Sequence, residues 1–500
     1  MHDQHVVERK VLGIRTERSR RRPDLGVPAM NTFPSKNFSR ALAQGFTLVE
    51  LMVAMTLGIL ISLGLVMLFQ ATAKTNHVQD AMAQLQESGR YAITRINDDL
   101  RMSSFQSMNM SGFVNATPSA TATPNGVNNP GISAMSYVAT IKLPDFDPAG
   151  LSAPSIASGW AADWPAGTPW PVSQRYFLQG YECSSGTCSP VLPSGANALP
   201  ATGTTAGKRV ATSDVFTVRY LNSLGWSRSK NELAFTCAGG AGGTLSAITV
   251  TPGTGSPAFN FAAAGDLALL VYGSRSEIFQ IAAAGAVLTP TAIVGGTLPC
   301  PVDPSSNSIV DVTLYNFSQD FHTITYYLKL DADPNDATRM IPALVRRDST
   351  IDNQGAAAND QELVQGIEQM DFLEGVQRNN ASISYLTSNL VAGQSSAANC
   401  SPMSLQIVSG LPAGSVEPQC LWRALNSIEV HLLVNSVNNI YSLTPADMAY
   451  QYTYSYGGTD NQQTPAPPPA ATANLPSGLK AGMMLRREFV SLVSVRNFNP

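Results

Sequence analysis

Residues 46 to 69 form a run of 24 residues whose only charge is Glu50, and no other feature constrains the chain as tightly. As a helix the run is long enough to cross a bilayer. Residues 1 to 45 carry nine Lys/Arg against four acids, a net of +5, so the positive-inside rule leaves the N-terminus in the cytoplasm and the bulk outside. A cleavable secretory signal, with Ala71-Thr72-Ala73 as its site, fits less well. Such signals have an apolar stretch of about 7 to 15 residues and no use for a carboxylate in its first turn. A plain single-pass anchor gains nothing from Glu50, which costs about 2.5 to 3.5 kcal/mol in hydrocarbon. A buried soluble helix fits worst, because nothing in the pattern masks its apolar circumference.

Immediately before this run stands Gly45-Phe46-Thr47-Leu48-Val49-Glu50. It resembles the processing site of type IV prepilins and pseudopilins: a Gly closing a basic leader, an aromatic first mature residue and a Glu at the fifth. The resemblance implies that a prepilin peptidase cuts between Gly45 and Phe46 and that the new amine of Phe46 is N-methylated. It also implies an assembly role for Glu50. The physics agrees, since a carboxylate that is expensive in lipid becomes a register device if it pairs with the Phe46 amine of an adjoining subunit. A leader of 45 residues is long for this pattern; starting at Met30 leaves 16, with Lys36 and Arg40. Residues 1 to 29 are then a misassigned start or a dispensable tail, and Arg20-Arg21-Arg22 lies too far from the apolar run for a twin-arginine signal.

Beyond residue 70 the helix is expected to continue as an amphipathic stretch. Val78, Met82, Leu85, Ile93, Ile96 and Leu100 share one face, with Gln79, Gln86, Arg90, Asp98 and Asp99 on others. The expected layout is a leader over 1–45, a transmembrane half-helix over 46–73, an amphipathic half over 74–105, a loop-rich insertion over 106–210 and a β-rich periplasmic domain over 211–500. Trp160, Trp164 and Trp170 in the insertion read as buried anchors. Alternating runs predict strands at 214–220, 266–271, 277–281, 309–314, 322–330, 343–346, 367–373, 427–434 and 489–495, with a Pro-rich stretch at 457–478. The fold class is α+β: a long N-terminal helix packed on a mostly antiparallel sheet with long loop insertions.

Six cysteines, Cys183, Cys188, Cys237, Cys300, Cys400 and Cys420, all follow the apolar run without C-x-x-C spacing. They read as three disulfides of an exported protein, with fifteen pairings open and sequential pairing the simplest. Enzyme signatures are missing. Gly203 to Arg209 imitates a phosphate-binding loop but is one residue short and lacks Ser/Thr after Lys208. Asp331, Asp333, Asn335 and Asp336 imitate a calcium loop, yet its sixth and twelfth positions are Asp336 and Pro342 where Gly and Glu are needed. No catalytic residue, metal or cofactor is expected. The chain after residue 45 carries a net charge of -9, which argues against nucleic-acid contact.

Ser213 to Tyr220, Glu362 to Glu368, Trp422 to Val434 and Arg486 to Asn497 resemble stretches of the PilW family of minor pilins, relatives of the pseudopilin GspJ. The resemblance implies a minor pilin that primes pilus assembly near the tip and supports adhesion, twitching motility or DNA uptake. Its expected partners are prepilin peptidase, other minor pilins, the major pilin, the inner membrane and a tip adhesin. The extra length for that family is expected in 106–210 and 375–420. A minor pseudopilin of a type II secretion system is the alternative in the same class, and a membrane-anchored enzyme or receptor the alternative outside it.

Overall fold

The computed structural model describes residues 47–103, 135–143, 151–153, 155, 169–172, 174–184, 186–193, 198–239, 243–272, 275–282, 285–291, 297–301, 311–351, 359–377, 383–393, 419–450, 452–454, 479 and 482–495. The chain divides into two compact units, Met1–Phe69 and Gln70–Pro500. One helix, α1 (Leu48–Met102), contributes to both and runs without a break through Gly64 and Gly89.

In the second unit α1 buries Leu85, Gly89, Ala92, Ile96, Asp99 and Leu100, spaced by three or four residues so that they share one face. The expected apolar face is therefore present, with Val78, Met82 and Ile93 packed at its margin. Asp99 is a correction: expected on a polar face, it is buried among strands, because sheet residues supply polar partners exactly where the apolar stripe would otherwise be interrupted.

Two antiparallel sheets close on this face. The six-stranded one is built from β1 (Leu178–Ser184), β2 (Thr187–Ser189), β3 (Val215–Leu221), β4 (Phe321–Asp333), β5 (Asp336–Thr350) and β6 (Asn359–Gln365), in the order β6-β5-β4-β3-β1-β2. The four-stranded one is built from β7 (Ile367–Gln377), β8 (Ile383–Leu386), β9 (Leu425–Asn435) and β10 (Arg486–Ser494), in the order β8-β7-β9-β10. Their shared core takes alternate residues, as a pleat requires: Phe216 and Val218 from β3, Ile324, Tyr326, Leu328 and Leu330 from β4, Met370 and Phe372 from β7. On β10, Phe489 packs against this core and Ser491 accepts a hydrogen bond from Asn97 of α1 at 2.9 Å. Gly89 lets the helix approach: a Cβ there would overlap the Phe489 ring.

The runs expected at 266–271, 277–281 and 309–314 are strands (Leu267–Tyr272, Arg275–Ile281, Val312–Asn316), but they belong to a different sheet. Residues 222–320, between β3 and β4, supply most of a second β layer with apolar clusters of its own. Its centre holds Trp226 against Phe259 and Phe261. Trp170 is buried in the same layer, its indole N–H donating to Val138 O at 2.8 Å, while Trp160 and Trp164 lie outside the described residues. The segment 106–210 also supplies β1 and β2, whose short, glycine-flanked stretches carry little periodic signal.

Candidate functional site

The first turn of α1 is closed by its own side chains. Thr47 Oγ1 accepts the Glu50 N–H at 3.2 Å, and the Glu50 carboxylate accepts the Thr47 N–H and hydroxyl, both at 3.1 Å. This is a capping box: residues three apart satisfy each other's orphan amides, and the carboxylate lies at the positive end of the helix dipole. The Thr-x-x-Glu spacing that signals it is visible in the sequence, although the prepilin resemblance explains the Glu without it.

Behind the cap, every Leu, Val, Met, Ile and Phe from Leu48 to Phe69 is at least 50% exposed. At about 1.5 to 3 kcal/mol for each side chain fully buried, leaving sixteen such side chains in water forgoes on the order of tens of kcal/mol. The segment needs lipid or the apolar helices of other chains. Gly45 and Phe46 lie outside the described residues.

In the second unit the lower part of α1 is fastened by Asp99. Arg346 Nε donates to Asp99 Oδ2 at 2.7 Å, Tyr326 OH to the same oxygen at 2.5 Å, and Tyr220 OH to Oδ1 at 2.8 Å. Arg346 also holds Asp348 at 2.9 Å, which in turn holds His322 at 2.8 Å. Burial, then the Asp99 charge, pushes the Tyr326 and Tyr220 hydroxyls above their ordinary range, so both remain donors. Partners 121 to 247 residues away from Asp99 in sequence make this node, which no local spacing announces.

The cysteines are placed as follows. Cys183 on β1 faces Cys188 on β2 and is bonded to it; Cys237 is bonded to Cys300 in the second layer. Cys400 and the Cys420 side chain lie outside the described residues. Asp333, from the calcium-loop imitation, instead pairs with Arg339 and accepts the Asn335 N–H in the β4–β5 turn. Among the described residues no group of three or more His, Cys, Asp or Glu could hold a metal ion.

A cluster of acids near β1 and β7 is the other arrangement that sequence reasoning missed. Asp214 accepts the N–H of Cys183 at 2.8 Å and of Phe372 at 3.2 Å, tying the two sheets together. Tyr454 donates to Glu182 at 2.9 Å, and Tyr452 donates to Asp371. Burial pushes Glu182 up to about 7 and Asp371 up to about 8. Among the described residues these acids meet backbone N–H groups and tyrosine hydroxyls, and so join segments.

Two family models match the chain. The prokaryotic N-terminal methylation motif covers residues 40–66, and the type IV pilus-assembly protein W covers 325–497. The second match runs from within β4 to just past β10, so the layer formed by 222–320 lies outside it. No curated protein and no solved structure matches. The methylation motif falls on the capped start of the exposed apolar helix, and the pilus-assembly match falls on the sheets that hold its other half. The two matches support a type IV prepilin-like protein, similar over 325–497 to the PilW family, with a structural part in pilus assembly.

Proposed function

We propose that this protein is a minor pilin, cut between Gly45 and Phe46 by prepilin peptidase, N-methylated at Phe46 and incorporated with other minor pilins into a complex that primes the pilus. Before assembly it sits in the inner membrane with its N-terminus cytoplasmic and the residues beyond the apolar run periplasmic. The observation that carries this reading is the capped apolar helix start, bare from Leu48 to Phe69 and with a carboxylate in its first turn. In a filament, the Phe46 amine of one subunit pairs with Glu50 of the next and the apolar faces cover each other. A mature chain of 455 residues is bulky for a repeating subunit, which favours a rare position at the tip, with adhesion, twitching motility or DNA uptake as the output. A match to a pilus-assembly family favours this over a secretion-system pseudopilin.

Mass spectrometry of the mature N-terminus tests the reading. The expected chain begins with methylated Phe46. Gly45→Ala should leave it uncut and the cells without pili, and Glu50→Ala should permit cleavage but impair piliation. A soluble product beginning at Lys74 refutes it.

A further inference from the structure

We propose that Cys183–Cys188 is a redox-active disulfide, opened by a dithiol reductant through attack at Cys188, with the Arg209 guanidinium receiving the Cys183 thiolate. Arg209 is 3% exposed, and its fork straddles the bond: Nη1 lies 3.6 Å from Cys183 Sγ and Nη2 3.4 Å from Cys188 Sγ. Among the described residues its Nη1 meets, besides the Cys183 sulfur, the Ser213 carbonyl at 3.5 Å, and its Nε has no partner. Burial lowers the Arg209 pKa, and the Asp214 charge offsets part of that. Burial, then the neighbouring Asp371 and Glu182 carboxyls, pushes Asp214 well above the ordinary carboxylate range. A buried guanidinium beside a disulfide has little to gain from the bonded sulfurs and much from a thiolate, because charge-assisted contacts strengthen in a dry site.

The step balances simply. A reductant thiolate attacks Sγ of half-buried Cys188, the better exposed of the two sulfurs' residues, and the S–S electron pair leaves on Sγ of buried Cys183 beneath Arg209. The second thiol of the reductant then attacks the mixed disulfide and frees Cys188. Two electrons and two protons pass to this chain and the reductant ends as its own disulfide. The bond clamps β2, the outermost strand of its sheet, which besides the cysteine pair aligns with β1 through two residue pairs, Glu182 with Ser189 and Ser184 with Thr187. Reduction therefore loosens one edge of the six-stranded sheet.

Cys237–Cys300 is the internal control. It sits in an apolar cluster with Leu245, Ile248 and Leu298, surroundings that raise a thiol's pKa and make its thiolate a poor leaving group. The test uses the full chain in detergent, equilibrated with graded ratios of reduced to oxidised dithiothreitol, alkylated and read by mass spectrometry for each cysteine. Cys183–Cys188 is expected to be half-reduced at a lower ratio than Cys237–Cys300, by up to about tenfold for each pKa unit of thiolate stabilisation. Arg209→Met should erase most of that difference, and Arg209→Lys should keep part of it. Equal ratios, or Cys237–Cys300 opening first, overturn the proposal, as does an Arg209→Met protein with an unchanged ratio. If Arg209→Met does not fold, the comparison of the two bonds in the unaltered chain decides alone.

Discussion

Replacing Asp99 by Ala isolates what fastens the helix to the sheets. The substitution strips a buried guanidinium of its closest carboxylate, at 2.7 Å, leaves the Tyr220 hydroxyl without its acceptor and leaves Tyr326 with the Arg95 carbonyl at 3.3 Å. Removing one partner of a buried pair costs about 3 to 5 kcal/mol. Asp348 still holds Arg346 at 2.9 Å, which favours the lower half of that range. Ala is a better helix former than Asp by up to about 0.7 kcal/mol, so helix propensity opposes the loss and cannot cause it. Against a typical net stability of about 5 to 15 kcal/mol the loss is large. Urea denaturation followed by the fluorescence of Trp226 and Trp422, both fully buried, measures it. Asp99→Leu combined with Arg346→Met removes both charges and should recover most of the stability, because neither is left stranded. A single-variant loss below about 1 kcal/mol, or a double variant as damaged as the two singles added together, would refute the reasoning.

Three further outcomes follow from the same packing. Gly89→Ala gains about 1 kcal/mol of helix propensity but drives a methyl into the Phe489 ring, an overpacking cost of about 1 to 3 kcal/mol. A net loss is expected in the same urea assay, relieved by Phe489→Leu. The cluster of acids predicts pH dependence. Glu182 and Asp371 have folded-state values of about 7 and about 8 against ordinary values of 4.5 and 3.8, so the folded chain binds the extra protons. Stability should therefore fall as pH rises from about 4 to about 8, and Glu182→Gln should flatten that slope in urea midpoints taken at intervals across the range. Below that window the trend reverses, because Asp348 beside His322 and Arg346, and Asp360 beside Arg347, are held below the ordinary range and lose their pairs on protonation. Finally, Cys237→Ala with Cys300→Ala opens a loop with a sequence separation of 63, worth about 4 kcal/mol by chain entropy, and should lower the unfolding midpoint of the Trp226 signal.

What a single segment encodes was legible without coordinates. The apolar run and Glu50 lie within a few residues of one another, and 3.6-residue spacing alone puts Leu85, Ile96 and Leu100 on one face of α1. The strands of β3, β4, β7 and β9 likewise declare themselves, because each alternates or runs apolar against a shared core.

Other features depended on elements distant in sequence. Asp99 reads as a polar surface residue until Tyr220, Tyr326 and Arg346 surround it, and hydrophobic periodicity has no means of distinguishing a solvated carboxylate from a satisfied buried one. The assignment of residues 222–320 to a separate β layer rested on which strand edges pair, since a strand's pattern states how it is buried and not with whom. Arg209 shows the same division most plainly. A basic residue after a glycine-rich turn in the sequence, it lies over a disulfide only because β1, β2 and the approach to β3 meet at one edge of the sheet.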